Sequence, residues 1–333
     1  MNLKVISRNV GSALLVSALF MFLSILVSMS NGNDSGLSAL VISFIITFAV
    51  GIFPFIFVGR TPNISLKDGY MIIVLSWLLS FIFGMLPYVL WGGPFTVVNA
   101  WFESVSGFTT TGATILENVE GLPRSLLFWR SSTHFIGGLG IVVFLLLIIP
   151  SSSPVKLRLS NMELSSLSKE GYRRQSNRIV YIFTVVYLGM NVMSFLLYRL
   201  AGMSAFDAIN HAFSVSATGG FSTKNLSIAA FDSVPISIIT MVMMFLSSIH
   251  FGIIFLVLVK RSLKPLKKEV LGLYVLYLSV FSVVSAIILK AEGFAQRWDL
   301  AFLEGSFQML SYASTTGLAI ADNANYPFFV SMM

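Results

Sequence analysis

The sequence predicts an all-α membrane protein, in which an N-terminal helical hairpin is followed by repeated units of helix, re-entrant loop and helix. Three observations support this fold class. Hydrophobic residues make up 56% of the 333 residues and charged residues only 11%, whereas a soluble domain is about one quarter charged. Seven apolar runs are long enough to cross a bilayer, and a Thr-Gly step recurs three times between such runs. The bilayer is therefore the solvent of this chain.

The apolar runs define the membrane spans. A helix needs about 20 apolar residues to cross a hydrocarbon core of about 30 Å. The first two spans form the N-terminal hairpin, residues 1–66. A cleaved signal peptide is the alternative for residues 1–29, and it is disfavoured because the apolar run is long and no small-residue cleavage site follows. The predicted spans are 11–29, 37–58, 70–91, 125–149, 178–199, 235–259 and 268–290.

Basic residues fall in alternate gaps between the spans. Of the 21 Lys and Arg, 15 lie before the first span or in the gaps near 60–67, 156–178 and 260–268. By the positive-inside rule, these gaps and the N-terminus face the cytoplasm. The formal net charge of +7 therefore reflects membrane topology, and nucleic acid is not predicted as a partner. The expected location is the cytoplasmic (inner) membrane, which the chain crosses several times.

The chain after the hairpin is organised as a repeat. The first unit, 67–152, contains two spans that flank a short amphipathic stretch and a Thr-Gly step. The second unit, 153–262, has the same plan after a long cytoplasmic loop, and a third unit, 263–333, is partial because its last helix is missing. The three amphipathic stretches are predicted at 97–109, 205–216 and 299–313.

We call residues 104–114, 213–221 and 311–319 the first, second and third Thr-Gly segments. If these segments were full crossings, the basic gaps would fall on opposite sides of the membrane. Each segment is therefore predicted to dip into the membrane from outside and to leave on the same side. Irregular backbone at membrane depth persists only where protein buries it or where it lines a wet cavity. Ordinary extracellular loops rich in Gly and Thr are the alternative.

Alignment on the Thr-Gly steps, with Gly112, Gly219 and Gly317 in register, identifies candidate cation ligands. Glycine permits the positive φ that turns carbonyl oxygens toward an axis, and rings of carbonyls form potassium filters. The C-terminal end of a short helix also favours a cation. The predicted ion-binding residues are Thr110, Thr111, Gly112, Ala113, Ala217, Thr218, Gly219, Gly220, Thr315, Thr316, Gly317 and Leu318.

These residues resemble a known family. The runs 107–114, 217–223 and 315–318 look like the first three filter loops of the Trk/Ktr/HKT superfamily of potassium transporters, and 129–143 resembles the start of that family's first inner helix. The N-terminal hairpin is typical of the bacterial Trk branch. The resemblance covers the whole chain, and its motifs are specific in combination.

The resemblance implies a K+-channel-like pore built from four repeats in one polypeptide, with K+ as the transported ion at the filter residues named above. Gly112 favours K+ over Na+. A homodimer, contact with membrane lipid and a cytosolic nucleotide-binding regulatory subunit are also implied, and no organic cofactor is expected. Because the end of the third repeat and the whole fourth repeat are missing from the sequence, we expect a truncated chain. Such a chain does not conduct selectively unless another segment completes the ring.

Three acidic residues, Glu103, Asp207 and Glu304, lie in or beside the amphipathic stretches. Ionisable groups at membrane depth are costly and are candidates for function. They are predicted either to attract cations at an outer vestibule or to cap helices and form salt bridges. Arg130 is expected to reach the interface or to pair with an acid. The histidines are predicted to be structural: His134, His211 and His250.

Nothing in the sequence indicates an enzyme, since it contains no P-loop, nucleophile elbow or metal-ligand motif. Potassium uptake is the leading function. A Na+- or H+-coupled secondary transporter and a non-conducting fragment are the alternatives, although coupling predicts buried carboxylates that the spans almost lack. The basic gaps 151–177 and 260–268 are predicted to dock either the regulatory subunit or anionic lipid headgroups.

Overall fold

The computed structural model of the chain is α-helical. It describes residues 2–59, 65–148, 176–249, 251–262, 266, 269–321, 326–328 and 330, and these residues contain no β-strand. They divide into two compact units, Met1–Val185 and Val186–Met333, and the division falls inside a helix. The predicted division into four parts stays a prediction. His250 and most of the two predicted docking gaps lie outside the described residues.

The N-terminal hairpin consists of α1 (Leu3–Ser30) and α2 (Leu37–Phe57), which confirms the first two predicted spans. In the first unit, α1 packs along α2. Arg8 closes the end of the hairpin, because its Nη1 donates a hydrogen bond of 2.6 Å to the carbonyl of Val58. Its guanidinium also lies 4.8 Å from the ring centroid of Phe55. A cation at this place suits the partial negative charge of the α2 C-terminus.

The helices after the hairpin in the first unit lie close to the positions predicted from the sequence. α3 (Leu66–Gly84) and α4 (Leu86–Trp91) together cover the predicted span 70–91. A short helix, α5 (Val97–Phe108), precedes the first Thr-Gly segment, and α6 (Arg124–Ile148) follows it. α6 matches the predicted span 125–149, and α5 packs against both α3 and α6.

Asp34, in the turn between α1 and α2, ties the hairpin to the start of α6. Its Oδ2 accepts a hydrogen bond of 2.9 Å from the backbone N–H of Ser125, and its Oδ1 accepts one of 2.7 Å from the Ser125 hydroxyl. The hydroxyl of Ser28 donates to the same Oδ1 at 2.7 Å. The first N–H groups of a helix have no partner within the helix, so Asp34 supplies one for α6 from another element.

Stability is expected to fall at acid pH through Asp34. Partial burial by itself raises the pKa of this carboxyl, but the hydrogen bonds from Ser125 and Ser28 outweigh burial and bring the pKa below its ordinary value. The stabilisation is therefore fully present above about pH 4 and is lost as the pH falls through the folded-state pKa. Thermal unfolding of the detergent-solubilised chain, from pH 7 to pH 3, should show this decline. In Asp34→Asn the chain should be less stable at pH 7, and the difference should shrink in acid; an equal difference at every pH would contradict the prediction.

The described residues of the second unit form six α-helices, the first of which is shared with the first unit. α7 (Ser176–Leu200) carries the division between the units, and α11 (Glu269–Ala291) packs on α12 (Trp298–Ala313). Tyr198, Met243 and Phe307 lie in a buried cluster in its core. The remaining helices are α8 (Ala205–Ser216), α9 (Val234–Ser248) and α10 (Phe251–Lys260).

The predicted span 235–259 is interrupted by a bend. α9 ends at Ser248, Ile249 is extended, and the axis turns by 103° before α10 continues to Val257 as the second half of the bent pair. Ser248 Oγ donates to the carbonyl of Phe245 at 2.7 Å. Ser side chains that bond to the backbone compete with helix continuation, and the apolar run conceals this break. Within the described residues, five helices are long and apolar enough to cross a membrane, or six if the bent pair is one span.

Candidate cation-binding segments

Each Thr-Gly segment begins in the last turn of a short helix and continues beyond its C-terminal end. The helices α5, α8 and α12 occupy 97–108, 205–216 and 298–313, which confirms the three predicted amphipathic stretches. Side chains cap two of them at the N-terminus: Thr96 accepts from the N–H of Asn99, and Ser204 accepts from the N–H of Asp207. The C-terminal end of each helix, which carries partial negative charge, therefore leads directly into a segment.

The three segments share one backbone conformation. Beyond the helix end, each segment has a threonine in the left-handed region, with φ of 54° at Thr110, 52° at Thr218 and 58° at Thr315. Two residues later a glycine has φ of 74°, 84° and 74°. A left-handed threonine is uncommon, so its recurrence at the same place three times identifies equivalent positions. The glycines in question are Gly112, Gly220 and Gly317.

The predicted register of the second segment is therefore wrong by one residue. Gly220, and not Gly219, is the counterpart of Gly112. Hydrogen bonds agree: the N–H groups of Thr111, Gly219 and Thr316 donate to the carbonyls of the serines five positions earlier, at 2.8–2.9 Å. Ala217, predicted as a ligand, is the C-cap of α8. The four equivalent residues of the second segment are Thr218, Gly219, Gly220 and Phe221.

With this register, a serine stands six residues before every glycine. Ser106 Oγ donates to the carbonyl of Ala113 at 2.6 Å, and Ser311 Oγ donates to that of Leu318 at 2.7 Å. Ser214 takes the same place, and its Oγ has no hydrogen-bond partner among the described residues. With Gly219 in register, Phe213 takes this place in the second segment, so the predicted alignment found Ser106 and Ser311 but missed Ser214. Aligning on the second glycine of Gly219-Gly220 reveals Ser214 in the sequence.

The second segment lacks a pair of hydroxyls that the other two segments have. In the first, the hydroxyls of Thr109 and Thr111 lie 2.8 Å apart, and in the third, those of Ser314 and Thr316 lie 2.7 Å apart. The equivalents in the second segment are an alanine and a glycine, which have no hydroxyl. The oxygens that all three segments can offer a cation are neutral carbonyls and threonine hydroxyls. Within the described residues, no three His, Cys, Asp or Glu side chains are grouped to hold a metal ion.

Glu103 is a structural anchor behind the first segment. Its side chain is 0% exposed, and Oε1 lies 2.5 Å from Arg130 Nε. Thr114 Oγ1 donates to the same carboxylate at 3.0 Å, as does the N–H of Ile115 at 3.3 Å. Of the two predicted roles of Glu103, the vestibule charge is wrong, because the carboxylate is fully buried and its charge is compensated. Arg130 pairs with an acid, as one of its predicted alternatives proposed.

The other two acids are also bonded within the second unit. Asp207 accepts from the hydroxyl of Ser204, the N-cap of α8, and from Thr223 Oγ1, each at 2.6 Å, so it links this cap to the residues after the second segment. Glu304 is partly buried and accepts from the hydroxyl of Tyr326 at 3.2 Å. A vestibule role for these two residues stays a prediction.

Two glycines permit close backbone approach around the segments. In the first unit, a Cβ on Gly137 of α6 would overlap the carbonyl oxygen of Phe108, the last residue of α5. In the second unit, a Cβ on Gly220 would overlap the carbonyl oxygen of Thr316 in the third segment. Each glycine therefore lets another element press directly against a segment or the helix before it.

Replacing Gly137 with alanine is expected to destabilise the chain by about 1–3 kcal/mol, because α5 and α6 must separate to admit the methyl group. The comparison is Gly189→Ala in α7, where the added Cβ meets nothing within 4 Å, so no loss of stability is expected. Midpoints of thermal unfolding in detergent check both variants. Equal unfolding midpoints for Gly137→Ala and Gly189→Ala would contradict the prediction, because α6 would then accommodate the methyl group without losing stability.

Comparisons with known proteins agree on one family. Residues 36–294 match the family model TrkH, described as a cation transport protein. A Trk system potassium uptake protein TrkH from Vibrio parahaemolyticus is 29% identical over 341 residues, covering 100% of this chain and 70% of the relative. The namesake from Salmonella typhimurium is 32% identical over 242 residues, covering 72% of this chain and 50% of the relative. The crystal structure of the potassium transporter TrkH from Vibrio parahaemolyticus aligns with a TM-score of 0.83 at 28% identity, covering 100% of this chain and 69% of that one.

Proposed function

We propose, because the chain belongs to the TrkH family of cation transport proteins, that it serves potassium uptake across the cytoplasmic membrane. The family resemblance predicted from the sequence is confirmed. The proposed route is a channel-like pore whose selectivity filter includes the three Thr-Gly segments, with K+ as the bound and transported ion. The chain is a multi-pass membrane protein and not an enzyme.

The observation that carries this proposal is the backbone shared by the three segments. Each presents a left-handed threonine, then a glycine at positive φ, directly after a helix C-terminus. Carbonyl oxygens in such turns can replace the hydration shell of a monovalent cation. The proposed ligands are the carbonyls and hydroxyls of the corrected register: Thr110 to Ala113, Thr218 to Phe221 and Thr315 to Leu318.

The carboxylates favour passive flow over coupling to Na+ or H+. Among the described residues, the buried acids are Asp68 and Glu103. Asp68 belongs to the capping box that starts α3, and Glu103 is paired with Arg130. Both carboxylates already form bonds that stabilise the fold, so neither is available to bind Na+ or H+ for coupling. A coupled secondary transporter is the second candidate, and a shift of reversal potential with Na+ or pH would favour it.

Topology and partners follow from the same family assignment. We propose that the N-terminus is cytoplasmic, that each Thr-Gly segment enters from the outer side, and that two copies pair as a homodimer. A cytosolic nucleotide-binding regulatory subunit is the proposed soluble partner, and the basic gaps are its proposed docking sites, in competition with anionic lipid. The four-part division, 1–66, 67–152, 153–262 and 263–333, is proposed to reflect hairpin and repeats.

The test is cation uptake by cells that lack their own potassium uptake systems. Cells expressing the 333-residue chain should grow at low K+ and accumulate rubidium, a K+ tracer, and external K+ should compete better than Na+. This result would overturn the sequence-based expectation that a chain with three filter segments does not conduct selectively. Cells with an empty vector are the control. Membrane insertion of the chain without any uptake would contradict the proposal and favour a non-conducting fragment.

A further inference from the structure

The corrected register places one buried polar side chain of each short helix nine residues before the glycine. These side chains are Glu103, His211 and Gln308, which are 0%, 0% and 4% exposed. The residue two positions after the glycine is Thr114 in the first segment, Ser222 in the second and Ala319 in the third. In two segments the helix side chain bonds to this residue, and in the third it does not.

The first two segments are held by their own helices. Glu103 accepts from Thr114 Oγ1, which in turn accepts from the N–H of Leu116 at 3.1 Å. His211 Nε2 lies 2.9 Å from Ser222 Oγ, which accepts from the N–H of Lys224 at 3.0 Å. These two pairs of bonds correspond in position, although one helix supplies a carboxylate and the other an imidazole.

The hydrogen-bond partners of His211 determine whether Ser222 donates to its ring or accepts from it. Its Nδ1 lies 2.8 Å from the carbonyl oxygen of Asp207, and a carbonyl can only accept, so Nδ1 carries the hydrogen. In the neutral imidazole Nε2 is then the acceptor, and the hydroxyl of Ser222 donates to it. Ser222 therefore uses its single hydrogen to tie the second segment to α8.

The third segment is held differently. Ala319 has no hydroxyl, and the amide Nε2 of Gln308 has no hydrogen-bond partner within the described part of the chain. The turn after the second segment holds the third segment instead, because the N–H of Ala319 donates to Ser227 Oγ at 3.2 Å. The N–H groups of Ile228 and Ala229 donate to the Ala319 carbonyl at 3.0 and 3.2 Å. Ser227 has φ of 54°, a conformation that costs free energy.

We propose that Ser222 and Ser227 are positioning residues for cation discrimination, the first tying the second segment to its own helix and the second tying the third segment to the preceding repeat. This inference rests on the proposed function, because it assumes that the segments bind cations. Carbonyls that replace a hydration shell select by the number and placement of their dipoles. Loosening the residues directly after the glycine therefore affects the ratio between K+ and Na+ more than the fold.

The test uses the purified full chain in detergent, with thermal unfolding titrated by KCl and by NaCl at constant ionic strength. The readout is the ratio of apparent K+ and Na+ affinities. Ser222→Ala and Ser227→Gly should each lower this ratio about five- to tenfold, the effect of one lost hydrogen bond. Glycine suits the positive φ at 227, so that variant removes the hydroxyl without strain. The conservative variants Ser222→Thr and Ser227→Asn should keep the ratio of the unchanged chain. Ser222→Cys replaces Ser222→Ala if the alanine variant does not fold.

Gln308→Met is the matched control, because it alters the equivalent helix position, where the amide Nε2 has no hydrogen-bond partner within the described part of the chain. It should leave the ratio unchanged. If Ser222→Ala and Ser227→Gly lower the unfolding midpoint equally in both salts while the ratio stays constant, the two serines are merely structural and the inference is overturned. If the unchanged chain itself shows no preference for K+, the proposed function fails, and this inference fails with it.

Discussion

Replacing Glu103 with alanine is expected to lower the free energy of unfolding by about 3–5 kcal/mol, because it removes the carboxylate that pairs with the buried guanidinium of Arg130. The two side chains are 0% and 3% exposed, and Oε1 and Nε are 2.5 Å apart. The same substitution removes the acceptor for Thr114 and for the N–H of Ile115. The first Thr-Gly segment should therefore lose its anchor together with the stability, and cation uptake should fall.

The exposed pair Arg297–Asp299 provides the matched control. Its side chains are 73% and 61% exposed at an N···O distance of 2.7 Å, and exposed pairs contribute little. Asp299→Asn should leave the unfolding midpoint unchanged. The double variant Glu103→Gln with Arg130→Met should recover part of the loss, because no charge then remains buried. Similar midpoints for Glu103→Ala and Asp299→Asn would show that Arg130 finds water or another partner.

Gly220→Ala is expected to abolish cation uptake and to destabilise the chain by at least about 2 kcal/mol. Two independent reasons support this. Gly220 has φ of 84°, which an alanine adopts only at a cost, and the added methyl group would overlap the carbonyl oxygen of Thr316. That carbonyl belongs to the third segment, so the substitution disturbs two of the three proposed groups of ligands at once.

Gly219→Ala is the comparison that tests the register. Gly219 has φ outside the left-handed region, and the equivalent positions in the other segments hold threonines, so a side chain fits there. Its effect on uptake and on the unfolding midpoint should be much smaller than that of Gly220→Ala. The opposite order would restore the alignment of Gly219 with Gly112 and Gly317 and would remove the basis for pairing Ser222 with Thr114.

Most of the helices could be predicted because their signals are local. Apolar runs of about 20 residues gave the spans that became α1, α2 and α11, and amphipathic stretches before each Thr-Gly step gave α5, α8 and α12. The break after Ser248 could not be predicted, because the apolar run continues across it while the backbone turns by 103°. Hydropathy reports where a segment is buried in lipid and does not report its direction.

The candidate site likewise has features that the sequence predicts and features that only the structure reveals. Residue types and their order along the chain determined by themselves that this is a membrane protein, and they predicted a repeat in which Thr and Gly mark one position of each unit. Only the tertiary structure decided which of Gly219 and Gly220 is equivalent to Gly112, that Glu103 faces Arg130, and that Ala319 is held by the turn at Ser227. The physical reason is that a φ angle, a buried ion pair and a bond between residues 92 positions apart depend on packing between elements, which no local pattern encodes.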